Sequence, residues 1–541
     1  MPNCCKKRCK KQKIPFCPRT TRRTIYEDNK CVVKCITTVN CCCKGGNGPT
    51  PPFNDYVNFF TTFSNAPYGN FSPVNPWYCK MRYPYLIGNN TDSVLTGSTI
   101  SDNASSLVPF ITKIDAAGNT EASMAGSYTG SSTNSSVAYD IINGVDSLFV
   151  IGTLETGTFN FGGMTVTSAS DDDNFFVAKV DNDLTAASVL IAADGRYFST
   201  AAISRPSGDD YIAFAGTNNT DGPTMLVTDQ TFSTTGESSP TVVSPTGTDI
   251  FTRIISSSTV NEYFMSGSFR DDVTFPKEGG GTIALTSTFT DVTIFSPLSN
   301  TFVGNGILPT DITSDPHTYN WVNKFTRTDN TSGTSAIEMA QDDSGYLYVA
   351  AHYTGTVTYL STTFTATTML ETLIMKLNPF TGAVMWSAQL KGNNSEYISS
   401  GPQILIIGSE VLVSATAKNE AGSLILTNSF GDNSIPLGSY GDTVIAHLDT
   451  ADGELLSYQL MKTNSNTATN FTNGSTTPGT SFYAPAIDPG LSLGTDESGN
   501  VMVSPNLLEE VGVIIDGSLT NTSNVGTNAT VGVMSYPVTQ S

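Results

Sequence analysis

The chain has 541 residues, a formal net charge of −21 and only 14% charged residues. That length can bury a large core, as several domains or as one repeat architecture. No run of 18 apolar residues exists, which argues against a helical membrane span. A surface rich in Ser, Thr, Asn and Gly instead of charge suits extracellular and virion-surface β proteins.

The N-terminal 44 residues stand apart. They hold 12 Lys+Arg against 2 acidic residues, whereas the remainder holds 15 against 46. They also hold Cys4, Cys5, Cys9, Cys17, Cys31, Cys35, Cys41, Cys42 and Cys43; the tenth cysteine is Cys79. Halves of opposite sign point to a leader that binds something anionic: nucleic acid, an acidic glycan or the acidic body of a neighbouring copy. Nucleic acid is the less favoured of these. Met1 to Lys13 is basic, but no apolar segment of a signal peptide follows. Synthesis and assembly in a cytosol are therefore expected, although cysteine density of this kind normally belongs to oxidising compartments.

The cysteines allow three readings. A zinc site could use Cys31 and Cys35 with members of Cys41–Cys43, but the spacing is not a clean zinc pattern and no His is near. Internal disulfides would staple a segment too small for its own core. Adjacent cysteines are awkward to satisfy within one small fold, which favours some cross-links between chains. No metal or other cofactor is expected.

Residues 45–76 read as a linker. Gly45, Gly46 and Gly48 lead into Pro49, Pro51 and Pro52, which suit neither helix nor central strand. The aromatics that follow, from Phe53 to Phe71, suggest a stretch lying against the body or a neighbour.

From residue 77 the chain repeats itself. A first run appears as Phe110–Ile114, Phe176–Val180, Ile374–Leu377 and Ile445–Leu448, each followed by a turn with Asp or Asn and Gly. A second run includes Asn320-Trp321-Val322 and Met385-Trp386-Ser387. A third includes Ala336–Met339 and Gln403–Ile406. The fourth is the clearest: Leu148–Gly152, Ile212–Gly216, Tyr263–Gly267, Tyr346–Ala350, Val411–Ser414 and Val501–Ser504. Short runs rich in β-branched and aromatic residues, bounded by turn residues, are strands. Four of them recurring every 50–85 residues mark the blades of a β-propeller.

First-run copies fall near 113, 179, 228, 296, 376, 447 and 534, those at 228 and 296 being degenerate. The last lacks its three companions, which the front of the chain supplies: Trp77 in the second run, Tyr85-Leu86-Ile87 in the third and Val94–Gly97 in the fourth. Trp77, Trp321 and Trp386 then share one slot. The expected fold is all-β, a seven-bladed propeller (six or eight remaining open) closed by pairing the C-terminal strand with N-terminal strands. Its domains are a basic cysteine-rich leader (1–44), a Pro/Gly/aromatic linker (45–76) and the propeller (77–541).

The pattern Asp-x-Phe-Val-x-Lys-Leu, a turn with Gly, a Trp strand and Gly-Asn-Val-Tyr-Val-x-Gly resembles the SBBP family of β-propeller repeats over about residues 77–541. The leader resembles those of surface-fibril proteins of giant viruses of the mimivirus family. That resemblance implies cytosolic assembly followed by thiol oxidation on the particle, which reconciles the cysteines with the missing signal peptide.

Chemistry is sparse. The repeated Lys113, Lys179 and Lys376 are read as blade-to-blade hydrogen-bonding groups rather than as a channel lining, and His447 as their structural substitute. His317 and His352 form no metal-ligand motif. Asp171–Asp173 and Asp342–Gly345 lack the ligand pattern of a calcium loop and read as turns. No nucleophile elbow or P-loop is present. The expected role is a non-enzymatic structural protein of a virion surface or fibre layer, with copies of itself as partner and other virion surface proteins or glycans beyond that. A glycan- or protein-binding propeller on a particle or cell surface is the alternative, and a hydrolase or lyase using carboxylates in the channel is a third.

Overall fold

The computed structural model describes the backbone of residues 22–27, 30–35 and 59–64. From residue 80 to residue 536 it describes most strands and the turns beside them. The other residues up to 79, residues 464–490 and 537–541, and several shorter loops lie outside the described residues. Among the described residues every regular element is a strand. The chain divides into two compact units, Met1–Gly48 and Pro49–Ser541.

The first unit contains one antiparallel hairpin, Arg22–Glu27 with Lys30–Cys35, in which Glu27 faces Lys30 and Arg22 faces Cys35. Only Asp28 and Asn29 separate its strands, residue types that two-residue connections favour. A lone two-stranded hairpin is marginal in water.

The second unit is a succession of four-stranded antiparallel sheets. In each, the runs follow one another along the chain in the order third, fourth, first, second. Repeat 5 is the clearest: Gly333–Gln341, Leu347–Thr354, Glu371–Leu377 and Val384–Gly392 pair in sequence. Repeat 1 begins at Lys80–Arg82, repeat 2 at Ser136–Asn143 and repeat 3 at Arg196–Ser204. Repeat 4 begins at Ile250–Ser256 and repeat 6 at Gln403–Ile407. The seventh sheet takes Leu491–Thr495, Val501–Leu508 and Ala529–Tyr536 from the C-terminal end of the chain. Its fourth strand is Phe59–Ser64, antiparallel to Ala529–Tyr536.

Four sequence expectations need correction here. Tyr85–Asn90 pairs directly with the first run Val108–Ile114, so Tyr85-Leu86-Ile87 belong to a fourth run, not a third. The true third run, Lys80–Arg82, is three residues long and too short to carry an apolar pattern. Val94 and Leu95 lie in a separate hairpin, Ser93–Leu95 with Ser98–Ser101. The second-run place beside the C-terminal strand is filled by Phe59–Ser64, out of the stretch read as linker. Trp77 and the degenerate first run near 296 lie outside the described residues. Asn300–Ile307 holds the first-run place of repeat 4.

The sheets stack face to face, which explains why the central runs are continuously apolar. A strand buried on both faces loses the apolar/polar alternation of a half-exposed one. In repeat 2, Leu148 and Val150 join Tyr85, Ile87 and Ile111 of repeat 1 in one cluster. Their neighbours Phe149 and Ile151 point the other way, into a cluster with Ile212 and Phe214 of repeat 3. The same alternation in repeat 5 sends Leu347, Val349 and Ala351 toward repeat 4 and Tyr348 and Ala350 toward repeat 6. The core is thus a series of layers between sheets.

A second device links neighbours. Between the fourth and first runs a hairpin leaves its own sheet and adds to the outer, second-run strand of the preceding repeat. Thr356–Tyr359 with Thr362–Thr365 joins Thr318–Arg327. Ser423–Asn428 with Gly431–Pro436 joins Val384–Gly392. Gly157–Phe161 with Met164–Ser168 joins Thr120–Gly130. Val513–Ile515 with Ser518–Thr520 joins Leu455–Thr463. At the opposite edges, each third-run strand lies beside that of the next repeat, and Leu491–Thr495 lies beside Lys80–Arg82.

Candidate functional site: the junctions between repeats

The repeated lysine position is also a repeated backbone irregularity. A β-bulge falls immediately after Lys113, Lys179, Asn305, Lys376 and His447. A bulge bends its strand and increases the local twist, so the recurrence shapes every one of these sheets in the same way. Asn305 escapes the sequence pattern because the first run of repeat 4 lies a few residues after the apolar stretch near 296. Its signal is its partner: Trp321 faces Asn305 as Trp386 faces Lys376.

Lys376 is 7% exposed. Its Nζ donates to the Thr450 carbonyl of repeat 6 at 2.9 Å and lies 3.9 Å from Asp342 Oδ2. It also sits over the rings of Tyr346 (4.1 Å) and Tyr348 (5.2 Å). Trp386 Nε1 donates to the same carbonyl at 3.1 Å. Burial pulls the Lys376 amine below the usual lysine range, while Asp342 and Asp449 act against it. Burial first, then the bond to Asp342 (2.9 Å), pushes the Tyr348 phenol well above its ordinary value. The ammonium is therefore committed to holding two repeats together.

The preceding junction uses the same construction. Trp321 Nε1 donates to Pro379 O at 2.8 Å, and Asn323 Nδ2 to Thr381 O at 3.2 Å. Each tryptophan ring lies on a glycine of the next repeat's turn. A Cβ added at Gly382 would stand 2.6 Å from the Trp321 ring, and one at Gly453 2.7 Å from the Trp386 ring. Both glycines also have positive φ, 67° and 78°, so the position excludes side chains twice over.

At the first junction the lysine is more open. Lys113 Nζ lies 3.3 Å from Glu121 and 3.7 Å from Asp183, itself 84% exposed. Tyr85 Oη donates across to Asn182 O at 2.8 Å. Lys179 sits 5.7 Å over the Phe149 ring. His447 behaves differently from the lysines. Its Nδ1 is 2.7 Å from Glu410 Oε2, both residues being buried within repeat 6.

One buried carboxylate and one half-buried ion pair carried no sequence signal. Glu371 Oε2 accepts from the Tyr353 hydroxyl at 2.7 Å, while Oε1 accepts from Thr367 N and Oγ1, each at 2.7 Å. Arg253 and Glu338, on adjacent third-run strands of repeats 4 and 5, approach to 3.2 Å. Asp342 Oδ1 accepts the amides of Ser344 and Tyr346, the use that a turn makes of an aspartate. Asp171–Asp173 lie outside the described residues. Among the described residues no group of three or more His, Cys, Asp or Glu is placed to hold a metal ion. No helix is long and apolar enough to cross a membrane among them.

Of the cysteines, only Cys31 and Cys35 fall on described backbone, both in Lys30–Cys35. Four residues along a strand put their α-carbons roughly 13 Å apart. The remaining cysteines lie outside the described residues.

No family model matches the chain, and no curated protein matches it. Among solved structures, a mutant alpha-L-arabinanase of Cellvibrio cellulosa is similar at 11% identity, over 50% of this chain and 93% of that one. Its TM-score of 0.22 is too low to support an argument about fold or activity.

Proposed function

We propose that the chain is a structural protein of a virion surface or fibre layer rather than an enzyme. Its seven sheets form a closed seven-bladed β-propeller that serves as the brick, and the basic cysteine-rich leader cross-links bricks. The observation that carries this reading is the division into two units of opposite charge, with all described cysteine positions in the smaller one. The body interlocks its own repeats through Trp–carbonyl and Lys–carbonyl bonds and exchanged hairpins. The pairing of Phe59–Ser64 with Ala529–Tyr536 supports ring closure.

Negative-stain microscopy tests the reading. Full-length protein oxidised at low ionic strength is expected to form ordered filaments or sheets of disc-shaped units. Dispersed single particles under all oxidising conditions would refute it.

A further inference from the structure

The register fixes which turns share an end of the sheet stack. In repeat 5, Leu347 faces Leu377, so the turn between third and fourth runs (342–346) and the turn between first and second runs (378–383) lie at one end. The exchanged hairpins point the same way. Thr427 faces Gln389 and the numbering runs antiparallel, so the hairpin tip near Phe430 reaches toward the start of Val384–Gly392.

Every exposed large hydrophobic among the described residues is at this end. Val260 (51%) is in the turn after a third run, and Phe380 (71%) in the turn after a first run. Met385 (51%) opens a second run, while Leu360 (50%), Phe430 (56%) and Met164 (36%) sit at hairpin tips. All but Met164 belong to repeats 4–6. Exposed apolar residues scattered singly need no explanation, but several sharing the turns and hairpin tips of three neighbouring repeats do.

The same end is acidic. Asp183, Glu278, Asp343, Asp432, Asp452 and Glu454 are exposed there, and Lys277 is the one exposed cation among the described residues of that end. A second copy of this same face would be repelled by like charge, and nucleic acid likewise. The leader has the opposite sign and a mixed character that matches. Lys10, Lys11 and Lys13 run directly into Ile14, Pro15 and Phe16.

We propose that the turn-bearing end of repeats 4–6 is a docking surface for the basic leader of a second copy of this chain. Leader lysines and arginines meet the carboxylates, and leader apolar side chains cover Phe380, Met385 and Phe430. Docking of this kind delivers cysteines to a fixed place before any bond forms. The inference rests on the assembly reading above and names the surface that reading leaves open.

The test uses full-length chain, half of it ¹⁵N-labelled, mixed under reductant at low salt and coupled with a carbodiimide that joins lysine amines directly to carboxylates. Expected are mixed-isotope cross-links from lysines of residues 6–44 to Asp343, Asp432, Asp452 or Glu454. The F380S/F430S variant alters two exposed side chains, so it keeps the wild-type melting temperature. It is expected to weaken association about tenfold, the loss typical of removing central apolar contacts. D452K/E454K is expected to weaken it further and to reduce its salt dependence. Reductant-sensitive multimers whose cross-links map elsewhere, or unchanged association in both variants, would overturn the docking surface and leave the assembly reading standing. A chain that stays monomeric with and without oxidant would overturn both.

Discussion

The leader and the body contain comparable problems solved by different chemistry. Among its described residues the leader shows a two-stranded hairpin, and it carries nine of ten cysteines. The body stacks sheet on sheet, buries both faces of its central strands and ties each repeat to the next by non-covalent bonds. Among the described residues of the body no cysteine occurs, whereas the leader holds nine of the ten. The candidate cross-linking residues are thus concentrated away from the part that folds by burial.

The separation is most exposed to test where the body's own fastening is strongest. Trp386→Ala removes a ring packed on Gly453 and a bond to Thr450 O. It should cost about 3–5 kcal/mol, the usual range for a buried tryptophan, read as a lower midpoint in urea. A midpoint within experimental error of wild type would show that the junction contributes nothing.

Alkaline pH should act on the body next most strongly. Tyr263, Tyr319 and Tyr359 are fully buried, and burial raises their phenols above the usual value near 10. Unfolded, they lose protons near pH 10; folded, they keep them. The unfolded state then binds fewer protons, so stability is full below about pH 10 and falls above it, by roughly 1.4 kcal/mol per buried tyrosine per pH unit. Lys376 works in the opposite direction, because burial lowers its amine and the folded state releases that proton first. One lysine does not offset three tyrosines. The melting temperature should fall between pH 10 and 11, with Tyr263, Tyr319 and Tyr359 ionising only as the body unfolds. An unchanged melting temperature across that range would contradict this.

The two lysine junctions give a finer comparison. Lys376→Met strands a buried site and should cost about 1–3 kcal/mol. Lys113→Met removes a pair whose partner Asp183 is 84% exposed and should cost at most about 1 kcal/mol, as surface pairs do. Equal losses would mean that burial does not set the strength of these contacts. Smallest of all should be the effect of replacing the nine leader cysteines by serine. The body's melting temperature should not move, while covalent multimers disappear. A large drop in melting temperature would place a structural disulfide where this account puts none.

Much of the body was legible because its strands are buried on both faces. Runs such as Leu148–Gly152 and Val411–Ser414 stand out as unbroken apolar segments, and they are fourth-run strands. What escaped notice was less apolar or shorter. Lys80–Arg82 has no apolar run, so repeat 1 was read one strand out of register. The exchanged hairpins have one buried face and alternate, as in Thr356-Val357-Thr358-Tyr359. That is a two-residue period, but it falls outside the four-run repeat unit. The lysine and tryptophan positions could be found from the repeat, yet their acceptors could not. Thr450 and Pro379 act through backbone carbonyls, which every residue has. The bulge after each lysine position has no side-chain signature at all.

The most direct test of the division of labour is to measure sedimentation and thermal unfolding on one sample of oxidised full-length protein, before and after adding reductant. The account predicts that reductant converts covalent multimers to smaller species while the unfolding transition of the body stays where it was. A single monomeric species in both conditions, or a body that unfolds once its disulfides are reduced, would contradict it.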